Sequence, residues 1–352
     1  METKTLLRKL SEASGVSGYE AELRGLVREA WAPWADEVRE DVLGNVIALK
    51  RGTGAGERRY KVMLAGHMDE IGLMVTQLEG GFIRFTQVGG IDPRTLLAQE
   101  VVVHGREPLP GIIGTRPPHV LPPEARNKPV PWDELFIDVG LDGSRLAELV
   151  QVGDLITVRR SMAELEDDRL SGKAFDNRAS VVAIACALER LAGLKHEWDV
   201  YAVATVQEET GLKGAMTSAY GVYPDIGIAI DVGFGNMPGQ SELDSIEMGK
   251  GPSIAFGPTA HPAIHEQLVS VAQANEIPHQ IEPIPGASGT DAWAIQVVRE
   301  GIPAGLLSIP LRYMHTSVET VVAQDIARTG RLLAHFTASL DAAFAGRLGL
   351  NR

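Results

Sequence analysis

Two histidines and a group of carboxylates fall at places in this chain where they can work together. His67 opens "HMDE" after the apolar run "KVMLAG", with Asp69 two residues on. Glu208 and Glu209 follow "VYAVATVQ", Asp231 follows "IGIAI", and His315 comes shortly after "GLLSIP". Asp176, in "SGKAFDNRAS", sits just before a predicted helix. Two imidazoles with three or more carboxylates and no thiolate suit Zn²⁺, Co²⁺ or Mn²⁺. The set is larger than one catalytic zinc requires. It matches a pair of ions roughly 3.5–4 Å apart that share one carboxylate. Three ligating carboxylates and one hydroxide would balance two divalent cations. Asp69 is spaced to orient His67 through its second ring nitrogen, and a spare carboxylate beside an activated water is the natural general base.

Taken singly, each residue has an ordinary structural reading. His67 reads as a loop histidine, Asp176 as a helix cap, Asp231 as a turn residue, and Glu208-Glu209 as a solvated strand end. The repeated placement at strand ends favours the joint reading. His104, His119, His196, His261, His265 and His279 show no such placement and read as surface, loop or packing residues. The adjacent glutamates need a further condition, because neighbouring side chains on a strand point to opposite faces. Both serve one site only if the strand has ended and the two carboxylates do different jobs.

The elements that must position these residues follow from periodicity. Leu6, Leu7 and Leu10, then Leu23, Leu26 and Val27, recur at helical spacing and predict helices over 3–11 and about 19–32. Further helices are predicted over about 177–192, 262–275 and 321–345, with a helix capped by Thr290 after "SGTDA". Strands are predicted at 45–52, 59–66, 199–207, 225–231 and 304–309. Between about 72 and 166 the texture changes to short β-like pieces among Gly and Pro turns, the pattern of a small all-β module. Inside it, residues 115–134 hold six prolines and cannot form a helix or central strand. The expected architecture is α/β, with one catalytic domain (1–71 and 168–352) interrupted by an inserted β module (72–167). In open α/β sheets, ligands sit beyond the carboxyl ends of the strands, where the histidines and acids fall.

Composition narrows the class. The 352 residues carry a net charge of -13 without a basic block, which disfavours nucleic acid as a partner. The single cysteine, Cys186, lies in the apolar run "VVAIACAL" and reads as a small core residue, so no intrachain disulfide forms and a reducing compartment fits. The N-terminus has no apolar signal segment, and no stretch approaches the ~18 apolar residues of a membrane span. A cytoplasmic protein without membrane association is expected.

"GHMDEIGLMV", "AFDNRAS", "QEETGLKGA", "AIDVG", "ASGTDAWAIQ" and "LRYMHTSVE" occur in that order. Together they resemble the M42 family of dinuclear metallo-aminopeptidases, over nearly the whole chain. The resemblance implies a three-layer α/β/α zinc-peptidase core with an inserted β-barrel-like dimerisation domain, and assembly of dimers into hollow, tetrahedral dodecamers. It implies two divalent ions per subunit, Zn²⁺ or Co²⁺ foremost and Mn²⁺ accepted. His67 and Asp231 would hold one ion and Glu209 and His315 the other, with Asp176 bridging. Glu208 would be the general base and Asp69 the orienting carboxylate behind His67. The implied reaction removes the N-terminal residue from peptides with a free amine, the ions polarising the carbonyl and supplying hydroxide. Ser180 departs from the expected small residue such as Gly, without touching a ligand. The Pro-rich loop with His119 is a candidate for reaching a neighbouring subunit. Specificity is expected to rest on loops near 234–260 and 286–291. A carboxypeptidase, an acyl-amino-acid deacylase or another amidohydrolase with the same ion pair is the main alternative. A glycosidase is disfavoured, since that chemistry needs two carboxylates and no metal. A metal-binding scaffold without activity is disfavoured by the intact motifs.

Overall fold

The computed structural model describes residues 2–350 apart from 55–57, 125, 127, 242 and 244. Its centre is a set of four parallel strands, in the order Asp199–Thr205, Lys61–His67, Ile226–Phe234, Ala304–Arg312. Their residues read as continuous apolar runs because both faces are covered. Alternate side chains go to opposite faces. Val62 and Leu64 join Val200, Ala202, Ile226 and Ile228 in a core shared with the helices Thr3–Glu12, Ala21–Trp31, Phe175–Leu191 and Ala323–Ala338. Met63, Ala65 and Val203 point the other way, onto the helices Lys213–Val222 and Asp291–Gln296. The result is the expected α/β/α sandwich. Antiparallel strands extend the sheet on both sides, and Ala304–Arg312 forks. Its Leu307 and Ser308 pair with Ser253–Phe256, and its Leu311 and Arg312 with Glu319–Val322.

Strands between residues 72 and 158 close into a six-stranded barrel around its own core, which includes Leu73, Val75, Ile83, Val101, Ile137 and Ile156. The short strand Ala163–Glu164 already belongs to the large sheet. The barrel segment also holds a helix, Gly143–Leu149, that periodicity did not announce; Asp142 caps it by accepting from the Ser144 and Arg145 amides. The described part of the Pro-rich segment contains two 3₁₀ turns, Pro118–Val120 and Trp132–Glu134.

Several boundaries differ from expectation, each for a local reason. The long helix expected over 321–345 is a strand, Glu319–Val322, then helices Ala323–Ala338 and Ala342–Arg347. Asp341 restarts the chain by accepting from the Phe344 amide. The strand expected to end at 231 continues to Phe234, because pairing with Ala304–Arg312 persists after pairing with Lys61–His67 stops at Ala229. Asp231 is therefore inside a strand rather than after one. The strand at 304–309 likewise runs to Arg312, carried past Pro310 by its ladder to Gly233 and Phe234. Helix Lys213–Val222, rich in Gly and Ala, was not foreseen. Cys186 packs partly buried against the main core. Among the described residues no helix is long and apolar enough to cross a membrane.

Candidate metal centre

His67 is the last residue of its strand and stands level with Thr205 at the end of the neighbouring one. Val206 and Gln207 then turn the chain, with Gln207 at φ +53°, and deliver Glu208 and Glu209 above the sheet. Asp231 lies past Ala229, where pairing with Lys61–His67 ends, and still pairs with Ser308 on its other side. Asp176 comes from the irregular first turn of helix Phe175–Leu191 (φ -74°, ψ 100°). His315 sits in the loop after Ala304–Arg312 at φ +60°. Left-handed backbone at non-glycine residues costs ~1–3 kcal/mol and collects at functional sites.

These residues converge. Asp176 Oδ1 is 3.2 Å from His67 Nε2, and its Oδ2 is 3.4 Å from His315 Nε2. Asp231 Oδ1 and Glu208 Oε2 lie 3.9 and 3.8 Å from His67 Nε2, on one side of Asp176. Glu209 Oε1 lies 3.5 Å from His315 Nε2, on the other. Donor atoms of His67, Asp176 and Glu209, and again of His67, Glu208 and Asp231, all lie within 4.8 Å of one another. An ion with bonds of ~2.1 Å in tetrahedral array spaces its donors by ~3.4 Å. The imidazoles fit that role in orientation too. His315 Nδ1 donates to the Gly90 carbonyl (2.8 Å), and His67 Nδ1 faces the Asp69 carbonyl and carboxylate (3.3 and 3.5 Å). Both Nε2 atoms are left to face the carboxylates, the usual arrangement behind a metal-bound histidine.

The electrostatics have the same cause. Burial, reinforced by Asp231, Asp291 and Glu209, pushes Glu208 up to about 10. Burial and Asp176 push Glu209 up to about 7, and burial raises Asp231 well above the carboxylate range. Burial opposes charge on His67, but Glu208, Asp176, Asp69 and Asp231 together raise it well above 6.5. The hydrogen bond to Asp176 raises His315 to about 9. Burial opposes charge on Asp176 as well, yet the two histidines hold it below the usual range. Six buried or half-buried acids and bases thus share protons in a space where divalent cations would replace those protons.

Asp69, together with residues outside the expected set, holds the centre by its main chain. The Asp69 carboxylate accepts from the amides of both Glu208 and Glu209 (3.0 and 3.2 Å). Glu319 accepts from the amides of Asp176 and His315 (3.1 and 3.0 Å). Asn45 accepts from Val206 and Glu20 from Gln207 (3.0 and 3.2 Å). Thr205 donates to the buried Asp291 (2.6 Å), whose carboxyl burial pushes up to about 6. Ser180 is fully buried and donates to Asn177, whose amide reaches the Ile230 carbonyl (2.9 Å), so it locks the turn that carries Asp176 onto the Asp231 strand. Of the residues outside the expected set, Glu319 alone had a spacing cue, four residues after His315 in "HTSVE". The other partners lie too far apart in sequence to signal. His104, His196, His261, His265 and His279 make contacts away from the cluster.

A family model described as M42 glutamyl aminopeptidase matches residues 44–332. The lysyl aminopeptidase of Pyrococcus furiosus is 39% identical, the match covering 93% of this chain and 94% of that one. Among solved structures, an aminopeptidase of Desulfurococcus kamchatkensis superposes with a TM-score of 0.91 at 39% identity, over 98% of this chain and 97% of that one. The Pyrococcus horikoshii TET1 peptidase, which can assemble into a tetrahedron or a large octahedral shell, matches with a TM-score of 0.85 at 32% identity, over 96% and 100% of the two chains.

Proposed function

The chain belongs to the M42 glutamyl aminopeptidase family, a family of metal-dependent peptidases, and we propose that it removes the N-terminal residue from peptides at a two-ion centre. The observation that carries this reading is the position of Asp176, one carboxylate with an oxygen against each of two imidazoles. Asp176 would be shared between the two ions, with His67 and Asp231 holding one and Glu209 and His315 the other. Zn²⁺ and Co²⁺ suit these donors best, and Mn²⁺ is accepted. When bound, the ions polarise the scissile carbonyl and activate water.

The protein's own groups manage orientation and protons. Asp69 fixes the His67 ring and, through two amides, the Glu208-Glu209 turn. Glu208 stands beside the His67 and Asp231 pair, where bound cations would displace its proton and leave the carboxylate able to act as a general base. It takes the proton of the attacking water and returns it to the leaving amine. The substrate's free α-amine sits against the carboxylate-rich cluster, which restricts cleavage to the first residue.

Residues 1–71 and 163–352, with the strand Ala163–Glu164 in the large sheet, form the catalytic domain, and the barrel over 72–158 the dimerisation domain. Phe82 and Ile112 stand exposed on the barrel and suit such a contact. Dimers then build a tetrahedral dodecamer, a reading supported by the TET1 relative, which can assemble into a tetrahedron or a large octahedral shell. His119 lies in the Pro-rich loop of this module and is not among the described residues that line the centre's cavity.

Chelated protein restored separately with Zn²⁺, Co²⁺ and Mn²⁺ tests the reading on aminoacyl-nitroanilides and short peptides. Glu208→Gln is expected to bind the ions and lose roughly 10²–10⁴ in kcat. Normal turnover in that variant would remove Glu208 from the role. Cleavage of N-acylated substrates alone would turn the assignment to a deacylase.

A further inference from the structure

The barrel touches the centre at one of its two ends. Its strand Phe82–Val88 runs out into Gly89 and Gly90, and these glycines lie against Glu209 and His315. The Gly90 carbonyl accepts from His315 Nδ1 (2.8 Å). A Cβ added at Gly90 would stand 3.3 Å from that nitrogen and 3.5 Å from Cε1. A Cβ added at Gly89 would stand 3.5 Å from the Glu209 Cβ and 2.8 Å from Ile71 Cγ2. Gly89 is also at φ +80°, in the left-handed region, so conformation and space both call for glycine. Ile91, the next residue, packs on the barrel core that includes Leu96. Beside the turn, a small cavity of about 40 Å³ separates Ile91, Leu96 and Val158 of the barrel from Asp176, Glu209 and His315. The two glycines cross to the ligands where the rest of the junction leaves this gap.

The His67 end is held differently. His67 closes a strand of the large sheet, its ring faces the carbonyl and carboxylate of Asp69, and Asp231 lies within a paired strand. All three belong to the catalytic domain. The His67 side chain is 2% exposed, that of His315 34%. His315 has its amide on Glu319, in the catalytic domain, and its ring on Gly90, in the barrel. The acceptor behind a metal-binding imidazole sets the ring's orientation and basicity. A displacement of the barrel therefore acts on His315 and leaves His67 in place.

We propose that the Gly89-Gly90 turn is a positioning element of the centre. Through it, the seating of the barrel sets how tightly the Glu209 and His315 position holds its ion, while the His67 and Asp231 position depends on the catalytic domain. The coupling rests on the two-ion reading above. It is reciprocal, so an ion at Glu209 and His315 also stabilises the contact between barrel and sheet.

The test titrates full-length, chelated protein with Zn²⁺ against a competing chelator and counts the metal bound. Wild type takes up two ions per chain. In Gly90→Ala the methyl group pushes the His315 ring from its carbonyl, which weakens one ion by roughly 10–100-fold and leaves the other within about twofold. Equal weakening of both ions, or of neither, overturns the proposal. Hydrogen exchange of the unsubstituted protein supplies a readout that does not depend on how a variant folds. Zn²⁺ is expected to slow exchange at residues 89–91 together with that at Glu208 and Glu209. Slowing at the two glutamates with residues 89–91 unchanged overturns the coupling and leaves the two-ion reading intact. A single ion per wild-type chain overturns both.

Discussion

Glu70 lies directly behind the centre, and removing its charge should be among the most damaging conservative changes in the chain. Its carboxylate is buried and accepts from Lys173 Nζ (2.6 Å), Arg178 Nη2 (3.0 Å) and the Gly15 amide (3.0 Å). Burial works against its charge, but Arg178 and Lys173 overcome this and lower its pKa. Glu70→Gln keeps the shape and one acceptor oxygen, and leaves one of two buried cations facing an amide NH₂. Arg178 still has the carbonyls of Leu10, Ser11, Ala13 and Met68, whereas Lys173 is left with Ala13 alone. Breaking a buried pair from one side costs about 3–5 kcal/mol. With an unfolding entropy of ~2.1 cal/mol/K per residue, this corresponds to a Tm lower by ~4–7 °C for a chain of this length. Urea unfolding of metal-free protein at fixed concentration reads the loss. Lys173→Met in the Glu70→Gln background removes the orphaned ammonium and is expected to recover ~1 kcal/mol or more, although the same change destabilises the wild type. Because the folded pKa of Glu70 is depressed, its contribution is present above the unfolded value of ~4.3 and lost as pH falls through the folded one. The gap between wild type and variant should therefore close in acid below about pH 4. A loss under ~1 kcal/mol at pH 7, or no recovery in the double variant, would refute the account.

Two further outcomes concern the ions. Metal affinity should weaken as pH falls below about 9, the value to which Asp176 raises His315, because binding requires the unprotonated imidazole. Calorimetry in two buffers of different ionisation enthalpy reads the proton released at pH 7, and no release would contradict the arrangement. Glu319→Gln should weaken metal binding by roughly 10–100-fold in chelator competition, since it removes an acceptor from the Asp176 or His315 amide; an affinity within twofold of wild type would make Glu319 a bystander.

Much of the site was legible because its residues end apolar runs. "KVMLAG" before His67 and "VYAVATVQ" before Glu208 announce both a buried parallel strand and the place where it stops. The α/β class and the β module were legible from the change of period, whereas the three-layer α/β/α order came from the resemblance. Asp231 was identified but misplaced, since a strand's end depends on which neighbour is still paired, and Ala304–Arg312 pairs further than Lys61–His67 does. The break after Ala338 was hidden because alanine-rich composition continues on both sides of Asp341.

The adjacent glutamates show where the precision of the centre comes from. Glu208 and Glu209 diverge because the chain has left the sheet at Thr205 and passes through Gln207 in the left-handed region. A turn of that kind is not held by its own residues. Its amides are taken in sequence by Asn45, Glu20 and Asp69, side chains that lie between 139 and 187 positions away. The other half of the centre is held in the same way, with Glu319 gathering the amides of Asp176 and His315. The carboxylates facing the cluster thus remain free to bind and to exchange protons, while a separate set of buried acceptors carries the strain of placing them. Substitutions in the first set should therefore alter chemistry at a correctly placed centre. Substitutions in the second should alter how well the ions are held before any chemistry begins.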